Sequence, residues 1–193
     1  ARGACVFPWK RMDNSAVEFA RSINAELAGP RGEALYSLSP ASLMTIPPGT
    51  RLVLPSPNGS TLSLSAGETP TLAGCLRNSK AVAEAASSHG SKIAVIPCGE
   101  RWASDHSLRP AVEDLIGVGA IIRHLGGSLS PEAQTAVAAF RDAEADPCSR
   151  LRECVSGKQL ISRGFEQDVA LAAQVDMDDG APILRDGAYI VGS

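Results

Sequence analysis

Three short segments combine polar side chains with glycine or a helix start, the combination that an anion such as phosphate requires: Asn58-Gly59-Ser60, Arg77-Asn78-Ser79 and Cys98-Gly99-Glu100. Taken singly, each is equally well a turn or a cap, because Asn, Gly and Ser are common turn formers. Their recurrence after three apolar runs is what points to a site. Glu113-Asp114 opens a mostly apolar stretch. Carboxylates are favoured there by the helix dipole alone, but adjacent helical residues point about 100° apart, so one of the two is left to face the ends of the strands, where it suits a Mg²⁺ ion. Cys98 could be a nucleophile activated by a helix N-terminus or by Arg101. A C-x5-R phosphatase loop would need arginine at 104, where Ser104 stands, and a small packed residue is an equal account of this cysteine. Arg31 is either an anion clamp or a solvated charge. His89, His106 and His124 have no triad-like partners in the sequence.

The elements that must position these residues alternate between strand and helix. Cys5-Val6-Phe7-Pro8 reads as a strand, and Asp13-Asn14-Ser15 caps a helix carrying Ala16, Val17, Phe19, Ala20, Ile23 and Leu27. Arg51-Leu52-Val53-Leu54 is a second strand, followed by Pro55 to Ser60 as a rigid loop with a tight Asn58-Gly59 turn. Thr71 to Cys75 reads as a third strand before a helix capped at Asn78 or Ser79. Ile93-Ala94-Val95-Ile96-Pro97 lacks alternation, as expected of a strand buried on both faces. Pro110 opens a central helix running to Leu125, and Ser130-Pro131-Glu132 opens another. Residues 148–175 predict two or three short helices broken near Gly157 and Gly164. Pro182 to Val191, with Asp186-Gly187 in the middle, predicts a terminal hairpin. The expected fold is α/β: a three-layer αβα arrangement with a mainly parallel or mixed central sheet, a helix-rich C-terminal half and that hairpin, formed by residues 1–193 as a single domain.

Length and composition agree. At 193 residues and 44% hydrophobic the chain can bury one sizeable core, and with aromatics at 4% that core is aliphatic. A net charge of -3 with scattered basic residues predicts no nucleic-acid partner. The longest apolar run, Leu115 to Ile122, is far short of the ~20 residues that cross a bilayer, so no membrane association is expected. Five cysteines with no CxxC pair read as reduced thiols of a cytoplasmic protein. The start at Ala1, without an initiator methionine, leads to the expectation that the chain begins inside a longer protein.

The order of motifs resembles the 2-phosphosulfolactate phosphatase (ComB) family of Mg²⁺-dependent phosphatases. The carriers are Gly29-Pro30-Arg31-Gly32, Ser56-Pro57-Asn58-Gly59-Ser60, Arg77 to Ala83, Cys98-Gly99-Glu100, Glu113 to Ile121, Arg163 to Asp168 and Gln174-Val175-Asp176. The resemblance implies a hydrolase for a small anionic phosphate ester, 2-phospho-3-sulfolactate, on the way to coenzyme M, with Mg²⁺ as cofactor. It implies that Asn58, Gly59 and Ser60 contact the substrate and that Cys98 and Gly99 line the pocket. Glu113 and Asp114 then supply metal-binding or water-activating carboxylates, Arg31 holds phosphate or sulfonate, and Asn78 joins the substrate site. The family's Gly-Glu-Arg-Gly is Gly29-Pro30-Arg31-Gly32 here, and its Asp-Val-Leu-Arg-Ala-Thr segment would lie upstream of Ala1. A homo-oligomer is compatible with this reading. The competing expectations are a non-catalytic anion-binding relative and, last, thiol-dependent hydrolysis through Cys98.

Overall fold

The computed structural model describes residues 3–192; Ala1, Arg2 and Ser193 lie outside them. In chain order the elements are β1 (Cys5–Trp9), α1 (Asn14–Ser22), β2 (Glu26–Leu27), α2 (Pro40–Leu43), β3 (Arg51–Pro55), α3 (Pro57–Ser65), α4 (Ser79–Ser87), β4 (Glu100–Arg101), β5 (Leu108–Arg109), α5 (Val112–Ile122), α6 (Pro131–Ala143), α7 (Pro147–Glu153), α8 (Val155–Ser162), α9 (Glu166–Ala172), β6 (Pro182–Arg185) and β7 (Ala188–Val191). They fall into two compact units. One holds the residues up to Ala73 and those from Ala181 onward, and the other is Gly74–Gly180. The α/β class with a mixed sheet is the observed one. None of the described helices is long and apolar enough to cross a membrane.

The first unit is built on a five-stranded sheet of order β2-β3-β1-β7-β6, in which β2, β3 and β1 run parallel and the terminal hairpin adds two antiparallel strands. Successive side chains of a strand point to opposite faces, and the two faces are covered separately. Phe7 and Val53 pack with Phe19 and Ala20 of α1 and with Ile23 just after it. Leu52 and Leu54 pack on the other side with Ile46, Tyr36 and Leu43, the last from α2. The hairpin turn Asp186-Gly187 has φ of 50° and 78°, the paired left-handed geometry that a two-residue turn of this hand demands. Two expectations fail in detail here. Asn58-Gly59 is no tight turn but the opening of α3, with Pro57 at the first helical position, where the missing amide is no loss. Thr71 to Cys75 makes only an isolated bridge, Leu72 to Ile183, instead of a full strand.

The second unit is helical except for the β4–β5 pair. Its centre is α5, apolar on nearly all sides, with Ile116, Val118, Gly119, Ala120, Ile121 and Ile122 buried. α6 crosses it closely enough that a Cβ on Gly119 would overlap the Ala136 carbonyl and lie 2.8 Å from Cβ of Phe140. The helices α7, α8 and α9 confirm the broken helical stretch, but the first break falls at Cys154 and not at Gly157. Gly157 lies inside α8, where its bare Cα lets the helix approach the Leu151 carbonyl. The segment Ile93 to Pro97 is the main correction. It is not a strand, and among the described residues it makes no backbone hydrogen bond; Ile93 and Ile96 are exposed, and Val95 alone packs against a cluster, that of α5 and α6. Apolar residues without alternation signal a demand for burial, whereas a strand also needs a pairing partner, which the segment does not find among the described residues.

The end of this unit is tied to the start of α4. Asp176, in left-handed backbone at φ 51°, accepts from the Ser79 hydroxyl at 2.6 Å and the Lys80 amide at 2.8 Å, and lies 3.2 Å from Nε2 of His124 and 3.4 Å from the Arg123 guanidinium. α4 is thus capped by a residue almost a hundred positions away in sequence.

Candidate functional site

In the first unit the three parallel strands all end at the same edge of the sheet, the edge where α/β proteins place ligands. Beyond β2, Gly29 bonds back to the Tyr36 carbonyl at 2.9 Å and Arg31 lies in the turn that follows. Beyond β3 comes the first turn of α3 with Asn58, Gly59 and buried Ser60. The sequence-predicted Arg31 and Asn58-Gly59-Ser60 therefore share one strand-end edge, at a helix N-terminus that favours negative charge.

In the second unit, Gly99 and Asp114 meet. The Gly99 amide donates to Oδ2 of Asp114 at 2.6 Å across fifteen residues of sequence. Gly99 has φ of +69°, a conformation that side chains resist, so glycine is the residue that aims this amide at the head of α5. Burial pushes the Asp114 carboxyl above its ordinary range; the bond from Gly99 opposes this, the charges of Glu113 and Glu100 reinforce it, and that of Arg109 opposes it. A carboxyl so raised can take and release a proton closer to neutral pH than an exposed one can.

Glu113 goes elsewhere. Its Oε2 is buried without a hydrogen-bond partner among the described residues, and its charge helps raise the Cys154 thiol above its usual value, after burial. The two carboxylates thus diverge, as adjacent helical positions must. Among the described residues no three His, Cys, Asp or Glu side chains form a metal-binding group. Mg²⁺ needs only one or two protein carboxylates, and the orphaned buried oxygen on Glu113 fits that smaller demand.

Cys98 precedes Gly99 and its thiol is pushed up, by desolvation first and then by the Asp114 charge. Arg101 does not relieve it, since its guanidinium donates to the His106 carbonyl at 2.7 Å. Asn78 is held by backbone: its Oδ1 accepts from the Cys75 amide at 2.8 Å and its Nδ2 donates to the Gly180 carbonyl at 2.9 Å. The structure thus gives Asn78 a part in closing the second unit and brings Gly99 to Asp114.

Arg109 escaped the sequence reading. It stands opposite Glu100 in the β4–β5 pair, is only 4% exposed, and lies 5.6 Å from the centre of the Trp102 ring. Its Nη2 donates to the Ser156 hydroxyl at 2.7 Å. A basic residue in Leu108-Arg109-Pro110, just ahead of an acidic helix start, was the available signal.

Fold and site together define an α/β protein with an acidic helix head set against a glycine amide and a buried arginine. The family model for 2-phosphosulpholactate phosphatase matches residues 20–187. A 2-phosphosulfolactate phosphatase of Methanothermobacter thermautotrophicus is 31% identical over 139 residues, 72% of this chain and 58% of the relative. A probable 2-phosphosulfolactate phosphatase of Carboxydothermus hydrogenoformans is 30% identical over 150 residues, 75% of this chain and 60% of that protein. One from Gloeobacter violaceus, also described as probable, is 31% identical over 84 residues, 44% of this chain and 34% of its own length. The chain belongs to the 2-phosphosulpholactate phosphatase family, and it spans at most about three fifths of the length of these relatives.

Proposed function

We propose that this chain carries part of the active centre of a Mg²⁺-dependent phosphatase that hydrolyses 2-phospho-3-sulfolactate to 3-sulfolactate and phosphate, in the route to coenzyme M. The observation that carries the reading is the raised Asp114 carboxyl set against the Gly99 amide at the head of α5. Family membership names the substrate class. Hydrolysis adds water across the P–O ester bond: the water oxygen joins phosphorus, the ester oxygen leaves with a proton, and a protein group must accept the proton that the water gives up. Asp114 is that group, oriented by Gly99. Glu113, with its unpartnered Oε2, is the residue that would hold Mg²⁺, whose chemistry is to neutralise phosphoryl charge, which leaves Asp114 to take the proton. Within the first unit taken by itself, Arg31 and the start of α3 with Asn58, Gly59 and Ser60 are the candidates for binding substrate anions. Cys98 lines the pocket as a thiol, because its raised pKa disfavours the thiolate that nucleophilic attack needs. The five free cysteines are in keeping with a cytoplasmic setting.

The test is phosphate release from 2-phosphosulfolactate by the full-length protein, with and without Mg²⁺. Release that depends on Mg²⁺ is expected. A folded full-length protein that releases none from this ester, or from a panel of phosphate monoesters, would overturn the reading in favour of the non-catalytic anion-binding relative.

A further inference from the structure

Buried arginines are normally matched by a carboxylate, because an isolated charge away from water is strongly disfavoured. Arg109 is not matched in this way. Its guanidinium has five N–H donors. One goes to Ser156 Oγ at 2.7 Å, and a second reaches the Pro110 carbonyl only at a marginal 3.5 Å. Among the described residues no carboxylate lies within ion-pair distance of it. Asp114 is near enough to feel its charge, yet Oδ2 of Asp114 is taken by the Gly99 amide. Ser156 adds a second unspent donor: its oxygen accepts from Arg109, and among the described residues its own O–H has no acceptor. A planar cation 5.6 Å from the centre of an indole ring, with donors to spare and a hydroxyl beside it, is what a tetrahedral oxyanion requires.

We propose that Arg109 and Ser156 form the receptor for the phosphoryl group at the Asp114 site. This rests on the reading of that site as a phosphate-ester site and names the residues that hold the anion there. Arg109 neutralises one phosphoryl oxygen through its free N–H groups and Ser156 donates to the same group. Asp114, coupled electrostatically to Arg109, is then close to the phosphorus that water must attack.

The experiment is titration of the full-length protein with inorganic phosphate by calorimetry, comparing wild type with Arg109→Gln, Arg109→Lys and Ser156→Ala, alongside turnover of 2-phosphosulfolactate. Arg109→Gln is expected to weaken phosphate binding by about 10- to 100-fold, the scale of a charge-assisted hydrogen bond, with Ser156→Ala weakening it several-fold. Arg109→Lys is expected to recover only part of the loss, since an ammonium lacks the planar fork. A purely structural role would lower the melting temperature and leave the affinity of the folded protein unchanged, and that result overturns the proposal. If Arg109→Gln does not fold, unaltered phosphate affinity in Ser156→Ala overturns it instead. The two readings separate cleanly. Wild type that binds phosphate through Arg109 but hydrolyses no ester upholds the receptor and removes the phosphatase, whereas active wild type with an Arg109→Gln variant of normal phosphate affinity does the reverse.

Discussion

Replacing Asp114 by asparagine separates a catalytic carboxyl from a structural one, because the structure predicts opposite signs for activity and stability. Asparagine keeps a carbonyl oxygen for the Gly99 amide, so the loop stays tethered and only the charge-assisted share of that 2.6 Å bond is lost, about 1 kcal/mol. Against this stands the burial that raises the Asp114 carboxyl, reinforced by Glu113 and Glu100. The net shift is upward even with the Gly99 bond included, so the folded state disfavours the ionised form and the variant relieves that penalty. At a pH below the ordinary aspartate range, folded and unfolded chains both carry the proton and the penalty is absent. It is complete once the pH has risen through the elevated folded value. Asp114→Asn is therefore expected to match or exceed wild type in melting temperature near neutral pH, with the difference shrinking in acid. Phosphate release by the full-length protein is expected to fall about 100- to 10,000-fold, the usual contribution of a positioned proton acceptor. Melting curves and kcat/KM measured across the same pH range supply both readouts. A parallel drop in stability and activity, independent of pH, would refute the reasoning.

Asp176→Asn removes the charge that caps α4 and is expected to destabilise by about 1–3 kcal/mol, from one cap and its charge-assisted bonds, read as a fall in urea midpoint. Burial alone would raise the Asp176 carboxyl, but the bonds from Ser79 and Lys80 and the neighbouring His124 hold it below the usual range, so its stabilisation is fully present above that range and is lost as pH falls through the lowered value. Gly119→Ala would press a methyl group into the Ala136 carbonyl and Phe140, and is expected to lower stability by about 1–3 kcal/mol in the same assay, with larger losses if α5 and α6 cannot separate. Cys98→Ser is expected to leave phosphate release within a few-fold of wild type; abolished activity in a folded variant would restore the thiol mechanism.

Much of the fold was legible because its signals are local. Asp13 before the amphipathic α1, Ser130-Pro131 before α6 and Asp186-Gly187 between two apolar runs each carry their own geometry within a few residues. The misreadings share the opposite property. Ile93 to Pro97 has the composition of a buried strand, but pairing is a relation to another segment. Pro57 reads as a loop breaker until the residues after it are known to be helical, when the same ring becomes a helix opener. Gly157 looked like a break because glycine is a poor helix former, whereas its role is to admit the Leu151 carbonyl at close range, a fact about a neighbouring helix.

The site follows the same rule one level up. Gly99 and Asp114 were each visible as residue types suited to an anion or metal, but nothing in a linear sequence says that a left-handed glycine aims its amide at a carboxylate fifteen residues on. Asn78 had the right chemistry, and the fold uses its amide on Cys75 and Gly180. Arg109 shows the converse: a lone arginine in a charged stretch is ordinarily solvated, and its character changes only when β5 and α8 bury it beside Ser156. Residue type therefore ranks what a side chain can do, and burial without a partner ranks where it must do it. On that second criterion Glu113, with its orphaned Oε2, and Arg109, with donors to spare, mark the centre of the second unit's site, close in sequence to Asp114.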